Sequence, residues 1–350
     1  MDRLTWIDVL RGMTMITVVA QHCMPLGGMI LCFHMPLFYF ISGLTFSPAK
    51  YDGLKGALQA KSKGIGLQYA CFEILGIILN FSLLALKSSY AADVSLLSAF
   101  IGIFFPDENI GHDVTMGFWL VYDIIIINWI ALSVYWSRKS KRYTSLVLCV
   151  LYLTLLSLSN TNIIVRLAYG LMFFLAGTYF MQILSRHKLS LKPQPAITGG
   201  GKCVRLLIAV SILILLKYTS RWNTPVFMFM PEVGQPVVFI FNAFIGIVAF
   251  LILSVVIQKN STLEWIGKNT LAIMFSHFAL MRAWNMIMNS TFPSLEQTYG
   301  EHVWIFFPFW IFKAAGVLLM ACLFAYVMNQ WFPSLIGKGK LKTWVSEKLS

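Results

Sequence analysis

Apolar runs of about twenty residues recur along the whole chain, separated by short polar or basic segments. A helix of this length matches the thickness of a bilayer hydrocarbon core. Ten runs qualify, at residues 4–22, 29–47, 64–86, 117–135, 144–159, 164–185, 204–219, 237–257, 269–289 and 303–328. The pattern predicts an all-α, polytopic integral membrane protein with about ten transmembrane helices. An even number of spans places the N-terminus and the C-terminus on the same side.

The composition supports this class. The chain has 350 residues, of which 58% are hydrophobic and 12% charged, and its mean hydropathy is +0.74. The formal net charge of +13 raises nucleic acid as an alternative partner. That class, however, displays clustered basic residues on a soluble fold. We therefore predict the lipid bilayer as a partner and no nucleic acid. The six cysteines lack paired metal-ligand spacing, so no metal site is predicted.

The basic residues are distributed unevenly between the two sides of the predicted spans. If the N-terminus is cytoplasmic, twenty of the twenty-seven lysines and arginines fall in inside segments, and only Lys87 and Arg221 lie clearly in outside loops. The positive-inside rule therefore predicts that both termini are cytoplasmic. Residues 186–205 are rich in Pro, Gly and basic residues and are typical of a flexible cytoplasmic loop. We treat residues 1–350 as a single transmembrane domain.

Ionisable side chains lie inside the first two predicted spans. Asp8, Arg11 and His22 are in the first span and His34 is in the second. Such groups cost a few kcal/mol each unless they face a protein interior. The eleven-residue step from Arg11 to His22 turns a helix by about 1100°, within about 20° of three full turns, and rises roughly 16 Å. Asp8 lies one turn from Arg11. Each residue alone is also compatible with a structural ion pair or a hydrogen-bonded core histidine, but the shared face of Arg11 and His22 favours chemistry.

These residues belong to a longer motif. Asp8, two further residues, Arg11-Gly12 and His22 are followed by residues 33–37 (FHMPL) and an aromatic run, 38–43, that ends in Ser42-Gly43. The motif resembles membrane acyltransferase family 3, and in particular its fucose 4-O-acetylase-like O-acyltransferases. Near the other end of the chain, residues 265–268 (WIGK) followed by a histidine also resemble this family. The resemblance therefore covers both ends of the chain.

The resemblance implies a membrane O-acyltransferase. The reaction expected is transfer of an acetyl group from cytoplasmic acetyl-CoA to a hydroxyl of an extracytoplasmic or lipid-linked sugar or polysaccharide. Acetyl-CoA, or another acyl-CoA, is then a donor substrate, and no cofactor is bound permanently. The expected location is the bacterial inner (plasma) membrane, and the expected partners are the acyl-CoA, a sugar or glycan acceptor and, as a further option, a second copy or glycan-assembly proteins.

The candidate site residues fall into three groups. His22, Arg11 and Asp8 form the catalytic group, because histidine is the side chain whose intrinsic pKa suits proton transfer near neutral pH. Whether His22 acts as a base or carries the acyl group is open. The residues expected to contact the donor are Arg11, Lys61 and Lys63. The residues expected to bind the acceptor are His34, Ser42, Trp119, Asp123 and His277, and Glu73 is a further substrate-binding candidate without an assigned role.

A second class of function is also compatible with buried charges. A transporter or flippase of a lipid-linked sugar or another small polar solute would place polar residues along a path through the membrane. Its typical signature is a pair of broken helices in two related halves. The sequence shows no such repeat at the level of its motifs. The acyltransferase is therefore the favoured interpretation.

Overall fold

The structure is a computed structural model that describes residues 4–24, 27–85, 94–107, 118–140, 151, 162–187, 199–229, 232–291, 307–333 and 335–336. Within these ranges the secondary structure is helical and no strand is present. The predicted all-α class is therefore confirmed.

The helices are numbered here in chain order. The first half of the chain contains α1 (Thr5–Cys23), α2 (Gly28–Leu31), α3 (His34–Leu44), α4 (Gly53–Lys61), a π-helix (Ser62–Gly66), α5 (Leu67–Ala85), α6 (Leu96–Phe104) and α7 (Trp119–Ser140). The second half contains α8 (Asn162–Arg186), α9 (Gly199–Thr219), α10 (Pro236–Ile257), α11 (Ser261–Lys268), α12 (Thr270–Thr291) and α13 (Phe307–Trp331). Short 3₁₀ turns cover Pro48–Lys50 and Ser220–Trp222.

Seven helices in the described part of the chain are long and apolar enough to cross a membrane. They start at residues 53, 119, 162, 200, 236, 270 and 307, and each overlaps one of the predicted spans. Residues 28–44 form a shorter apolar stretch, and the predicted span 144–159 lies outside the described residues except for Leu151. The chain is thus a multi-pass helical membrane protein, whereas the count of ten and the cytoplasmic termini stay predictions.

The helices form two compact units. The first unit comprises Met1–Leu44 and Phe173–Ala325, and the second comprises Thr45–Met172 and Tyr326–Ser350. In the first unit α1 is the central helix and packs against α3, α10, α11 and α12. Eleven of its nineteen residues are buried. Polar residues lower the hydropathy of α1 below that of the seven apolar helices. Much of α1 is nevertheless covered by neighbouring helices, as expected for a membrane helix that carries charged side chains.

The second unit is built around one long helix. The segments α4, the π-helix and α5 run on without a break and form a single candidate span, Gly53–Leu83. Helix α7 packs against α4 and the π-helix, and α6 packs against α5. The Tyr69 hydroxyl in α5 donates a hydrogen bond to the carbonyl oxygen of Ile103 in α6 at 3.0 Å. Helix α6 has nine residues and is too short to cross a bilayer.

Helix α9 begins earlier than the apolar run that predicts it. The run starts at residue 204, but the helix starts at Gly199 and includes Lys202 and Arg205, which the sequence assigns to the loop 186–205. Residues 188–198 of that loop lie outside the described part of the chain. An apolar run marks only the part of a helix that matches lipid, so a helix that continues into a basic segment extends past it.

Candidate active site

The beginning of α1 holds a partly exposed arginine next to a buried aspartate. The Asp8 side chain is nearly buried, at 4% exposure, whereas 27% of the Arg11 side chain is exposed. Arg11 Nη1 and Asp8 Oδ1 are 3.7 Å apart, which is an ion pair longer than a hydrogen bond. Arg11 is therefore held near a buried carboxylate while part of its guanidinium-bearing side chain stays accessible.

The two family-like motifs at opposite ends of the sequence meet at this point. A Cβ added to Gly12 of α1 would overlap the carbonyl oxygen of Leu263 in α11, and a Cβ added to Gly267 would overlap the carbonyl oxygen of Asp8. The two glycines thus let the backbones of α1 and α11 approach each other directly, as small residues do between membrane helices. The glycine that follows Arg11 and the glycine of the motif at 265–268 are explained by one helix crossing.

A second crossing of the same kind positions the end of α3. A Cβ on Gly43 would overlap the carbonyl oxygen of Phe174, and a Cβ on Gly177 would overlap the carbonyl oxygen of Phe40. The Thr178 hydroxyl also donates to the carbonyl oxygen of Gly43 at 3.3 Å. The position of Ser42, a predicted acceptor-binding residue, is therefore fixed by close packing of α3 on the part of α8 that belongs to the first unit.

The C-terminal end of α1 brings His22 to a histidine of α12. The His22 and His277 ring centroids are 5.4 Å apart. The Phe278 ring lies 4.4 Å from that of His22 and 4.5 Å from that of His277. Two residues that the sequence separates by more than 250 positions are thus neighbours, and a phenyl ring packs against both. The structure brings together the predicted base and one of the predicted acceptor-binding residues.

Two of the predicted site histidines have their tautomer set by the backbone. His277 Nδ1 is 2.6 Å from the carbonyl oxygen of Met274, and His34 Nδ1 is 2.7 Å from that of Ile30. A carbonyl oxygen only accepts, so Nδ1–H is the donor in both cases. In a neutral ring with this tautomer, Nε2 is left as a hydrogen-bond acceptor.

The Nε2 atom of His277 is one of nine buried side-chain atoms that make no hydrogen bond within the described structure, and among these nine it is the one that belongs to a predicted site residue. The residue is 1% exposed. Leaving a buried polar atom unsatisfied costs about 1–3 kcal/mol, so such an atom requires an explanation such as a ligand or water. A hydroxyl group that donates to this nitrogen would satisfy it. In the described residues, no group of three or more His, Cys, Asp or Glu side chains is arranged to hold a metal ion.

The remaining predicted residues belong to the second unit. Lys61 ends α4, and Lys63 lies in the π-helix and is exposed. Glu73 in α5 is 2% exposed. These three residues stay predictions, Lys61 and Lys63 for donor binding and Glu73 for substrate binding without an assigned role.

Trp119 and Asp123, also predicted to bind the acceptor, surround a buried arginine. Arg166 donates from Nε and Nη2 to the two carboxylate oxygens of Asp123 at 3.2 and 3.3 Å, and from Nη1 and Nη2 to the carbonyl oxygen of Pro106 at 3.1 Å. The guanidinium carbon lies 5.1 Å from the centre of the Trp119 ring. Arg166 and Asp123 are both 0% exposed. The structure therefore gives Trp119 and Asp123 a structural role, and acceptor binding by them stays a prediction.

Sequence reasoning missed this pair, although the signal was present. Arg166 and Asp123 each lie near the start of a predicted span, 164–185 and 117–135. A buried cation and a buried carboxylate at similar membrane depth are expected to pair. Asp107 was missed as well: its Oδ2 accepts a hydrogen bond from the backbone N–H of Asn162 at 2.8 Å, at the start of α8.

These features define a helical membrane protein in which an arginine and a histidine pair are carried by one central helix and its neighbours. The model of a protein family described as an acyltransferase domain matches residues 4–328, which is nearly the whole chain. The chain belongs to acyltransferase family 3 and is a membrane acyltransferase. No curated protein and no solved structure gives a significant match.

Proposed function

We propose that this protein transfers an acetyl group from acetyl-CoA to a hydroxyl group of a sugar, either extracytoplasmic or lipid-linked. Membership of the acyltransferase family supports the reaction class. The observation that carries the proposal is the pair of neighbouring histidines, 5.4 Å apart, one of which has a buried Nε2 atom that makes no hydrogen bond in the described structure. That atom requires a donor, and an acceptor hydroxyl supplies one.

The proposed step is a proton-coupled acyl transfer. His22 removes the proton from the sugar hydroxyl, and the oxygen attacks the thioester carbonyl carbon. The new C–O bond forms, the C–S bond breaks, and the coenzyme A thiolate takes the proton back from His22. His277 Nε2 accepts a hydrogen bond from a second hydroxyl of the sugar and so orients the acceptor, because its Nδ1–H is already committed to the carbonyl oxygen of Met274.

Arg11 is proposed to engage the donor. It lies on the same helix as His22, and 27% of its side chain is exposed. The planar guanidinium can donate two parallel hydrogen bonds to a phosphate or contact a pantetheine carbonyl. Because Arg11 and His22 share a helix, donor binding and proton transfer are carried by one rigid element.

The test is transfer of a radiolabelled acetyl group by purified full-length protein in detergent, with membrane glycans of the host as acceptors. We expect His22→Ala to lower kcat by about 100- to 10,000-fold, the range for loss of general acid–base catalysis. The matched control is His187→Ala, because His187 is exposed beyond the end of α8. A His22→Ala protein that keeps near wild-type kcat would show that His22 is structural and that the mechanism is wrong.

A second variant separates the roles of the two histidines. His277→Asn keeps a side-chain N–H that can donate to the Met274 carbonyl but removes the Nε2 acceptor. We expect the acceptor KM to rise by about tenfold, the equivalent of about 1.4 kcal/mol, with a smaller change in kcat and no change in donor KM. If His277→Asn instead lowered kcat as far as His22→Ala does, His277 would be the base.

A further inference from the structure

The second unit contains a cavity of about 600 Å³ bounded by the π-helix, α5, α6 and α7. Its walls are apolar and aromatic, with contributions from Phe104, Ile126 and Trp129, and none of its lining residues is charged. The Tyr69 hydroxyl is one of the few polar groups in the wall, and it donates a hydrogen bond to the carbonyl oxygen of Ile103. The volume lies within the range of about 300–1,000 Å³ that is typical of small-molecule sites.

One wall of the cavity is an unusual helical segment. Ser62 and Gly66, the first and last residues of the π-helix, both line the cavity. A π-helical turn inside an α-helix is rare and frequently marks a functional site. The wall therefore departs from regular helix geometry at the position where the cavity lies.

The same segment is strongly basic. Four lysines lie between residues 50 and 63, against a single acidic residue, Asp52. Lys61 and Lys63 flank the lining residue Ser62 in the sequence, and Lys63 is exposed. Basic clusters at the end of a membrane helix attract anionic lipid head groups. An apolar cavity with lysines on both sides of one of its wall residues in the sequence is complementary to a molecule that has an anionic head and an apolar chain.

We propose that this cavity binds one acyl chain of an anionic phospholipid whose phosphate contacts Lys63. The phosphate of a phospholipid lies close to its chains, as the lysines lie close to the cavity wall. This site goes beyond the acyl transfer reaction and does not depend on it, and it gives Lys63 a role other than the donor contact that the sequence predicts. Its residues all belong to the second unit, whereas His22, His277 and Arg11 belong to the first.

Acyl-CoA has the same two features but a different arrangement. Its pantetheine arm, with two amide groups, separates the phosphates from the acyl chain. Amides buried against apolar walls lose hydrogen bonds to water, which costs about 1–3 kcal/mol each in proteins unless they find partners. The uncharged, largely apolar lining offers few such partners. The cavity is therefore better suited to a lipid chain that enters directly below its phosphate.

The experiment uses purified full-length protein in detergent micelles and phosphatidylglycerol that carries a diazirine in one acyl chain. After illumination, labelled peptides are mapped by mass spectrometry. We expect saturable labelling of the peptides that contain Tyr69 and Ile126, which unlabelled phosphatidylglycerol competes away. Diazirine-labelled phosphatidylcholine should label these peptides at least about fivefold less, because it lacks the net negative charge that the lysines attract.

Two glycines of the π-helix provide a matched pair of variants. Gly66 lines the cavity, and a Cβ there would meet no atom closer than 3.9 Å, so the backbone tolerates a side chain at this position and we expect Gly66→Leu to fill part of the cavity. Gly64 does not line it, and a Cβ there would meet nothing within 4 Å. We expect Gly66→Leu to reduce saturable labelling at least tenfold and Gly64→Leu to leave it unchanged. Ala70→Phe fills the same cavity from α5 and should act as Gly66→Leu does.

Three outcomes would overturn the proposal. Labelling that persists in both Gly66→Leu and Ala70→Phe would arise from general contact with micellar lipid. Equal saturable labelling by phosphatidylcholine would show that the anionic head is not recognised. Competition by palmitoyl-CoA but not by phosphatidylglycerol would assign the cavity to the acyl donor. Because the readout is labelling and not transfer, none of these outcomes depends on whether the proposed acetyl transfer is correct.

Discussion

Each of the two units contains an arginine–aspartate pair, and the two pairs differ in the distance between the charged atoms and in the exposure of the arginine. In the first unit Arg11 and Asp8 are 3.7 Å apart, and 27% of the arginine side chain is exposed. In the second unit Arg166 makes two hydrogen bonds to Asp123, at 3.2 and 3.3 Å, and both residues are completely buried. The first arginine is partly accessible and the second is enclosed.

This difference indicates that Arg11 is available to a ligand, whereas Arg166 stabilises the fold. The buried guanidinium of Arg166 binds the Asp123 carboxylate in a bidentate manner, donates to the Pro106 carbonyl and lies over the Trp119 ring. Its hydrogen-bond donors are therefore directed at the protein. An arginine with part of its side chain exposed can contact a phosphate at a smaller cost. We therefore expect substitutions at Arg166 to change stability and substitutions at Arg11 to change donor binding.

Removal of the enclosed arginine should have the largest effect on stability. Arg166→Leu leaves the Asp123 carboxylate buried without its cation, which costs about 3–5 kcal/mol of the free energy of unfolding. Thermal unfolding of the purified protein in detergent measures this loss. The double variant Asp123→Leu/Arg166→Leu should lose less stability than Arg166→Leu alone, because it leaves no buried charge unpaired.

The control for this prediction is Arg186→Leu, at the other end of the same helix, where the arginine is exposed. Arg186→Leu should change the free energy of unfolding by no more than about 0.5 kcal/mol. If Arg166→Leu were as mild as Arg186→Leu, the enclosed pair would not hold the second unit together, and the contrast between the two arginines would fail.

An intermediate effect is expected at the crossing of α1 and α11. Gly267→Ala places a methyl group against the carbonyl oxygen of Asp8, so the helices must separate, at a cost of about 1–3 kcal/mol. The free energy of unfolding in detergent and the rate of acetyl transfer should both fall, because Asp8 and Arg11 move with the helix. Gly56→Ala is the matched control: a Cβ there meets nothing within 4 Å, and alanine favours helix. Equal stabilities of the two variants would contradict the close crossing.

The smallest effect on stability is expected at the accessible arginine. Arg11→Lys keeps the charge near Asp8 but loses the planar fork, so we expect the donor KM to rise by about tenfold with kcat nearly unchanged. The free energy of unfolding should change by less than about 0.5 kcal/mol. Arg186→Lys serves as the control for a generic loss of arginine. A large loss of stability in Arg11→Lys, with donor KM unchanged, would place Arg11 in the same structural class as Arg166.

The amino-acid sequence by itself determined the class of the fold. Apolar runs of bilayer length predict membrane helices because backbone polar groups must be bonded internally in lipid, and seven described helices agree with them. The motif around Arg11 and His22 also indicated the family, since it combines rare intramembrane residues at a fixed helical spacing. Both inferences rest on local properties of the chain.

Only the tertiary structure decided which distant residues are neighbours. The approach of His277 to His22, the pairing of Gly12 with Gly267 and the enclosure of Arg166 by Asp123 depend on how helices pack side by side. Hydropathy cannot predict such contacts, because every membrane helix presents an apolar surface to its neighbours and to lipid alike. Helix partners are chosen by close packing of small residues and by the few buried polar groups that must find each other.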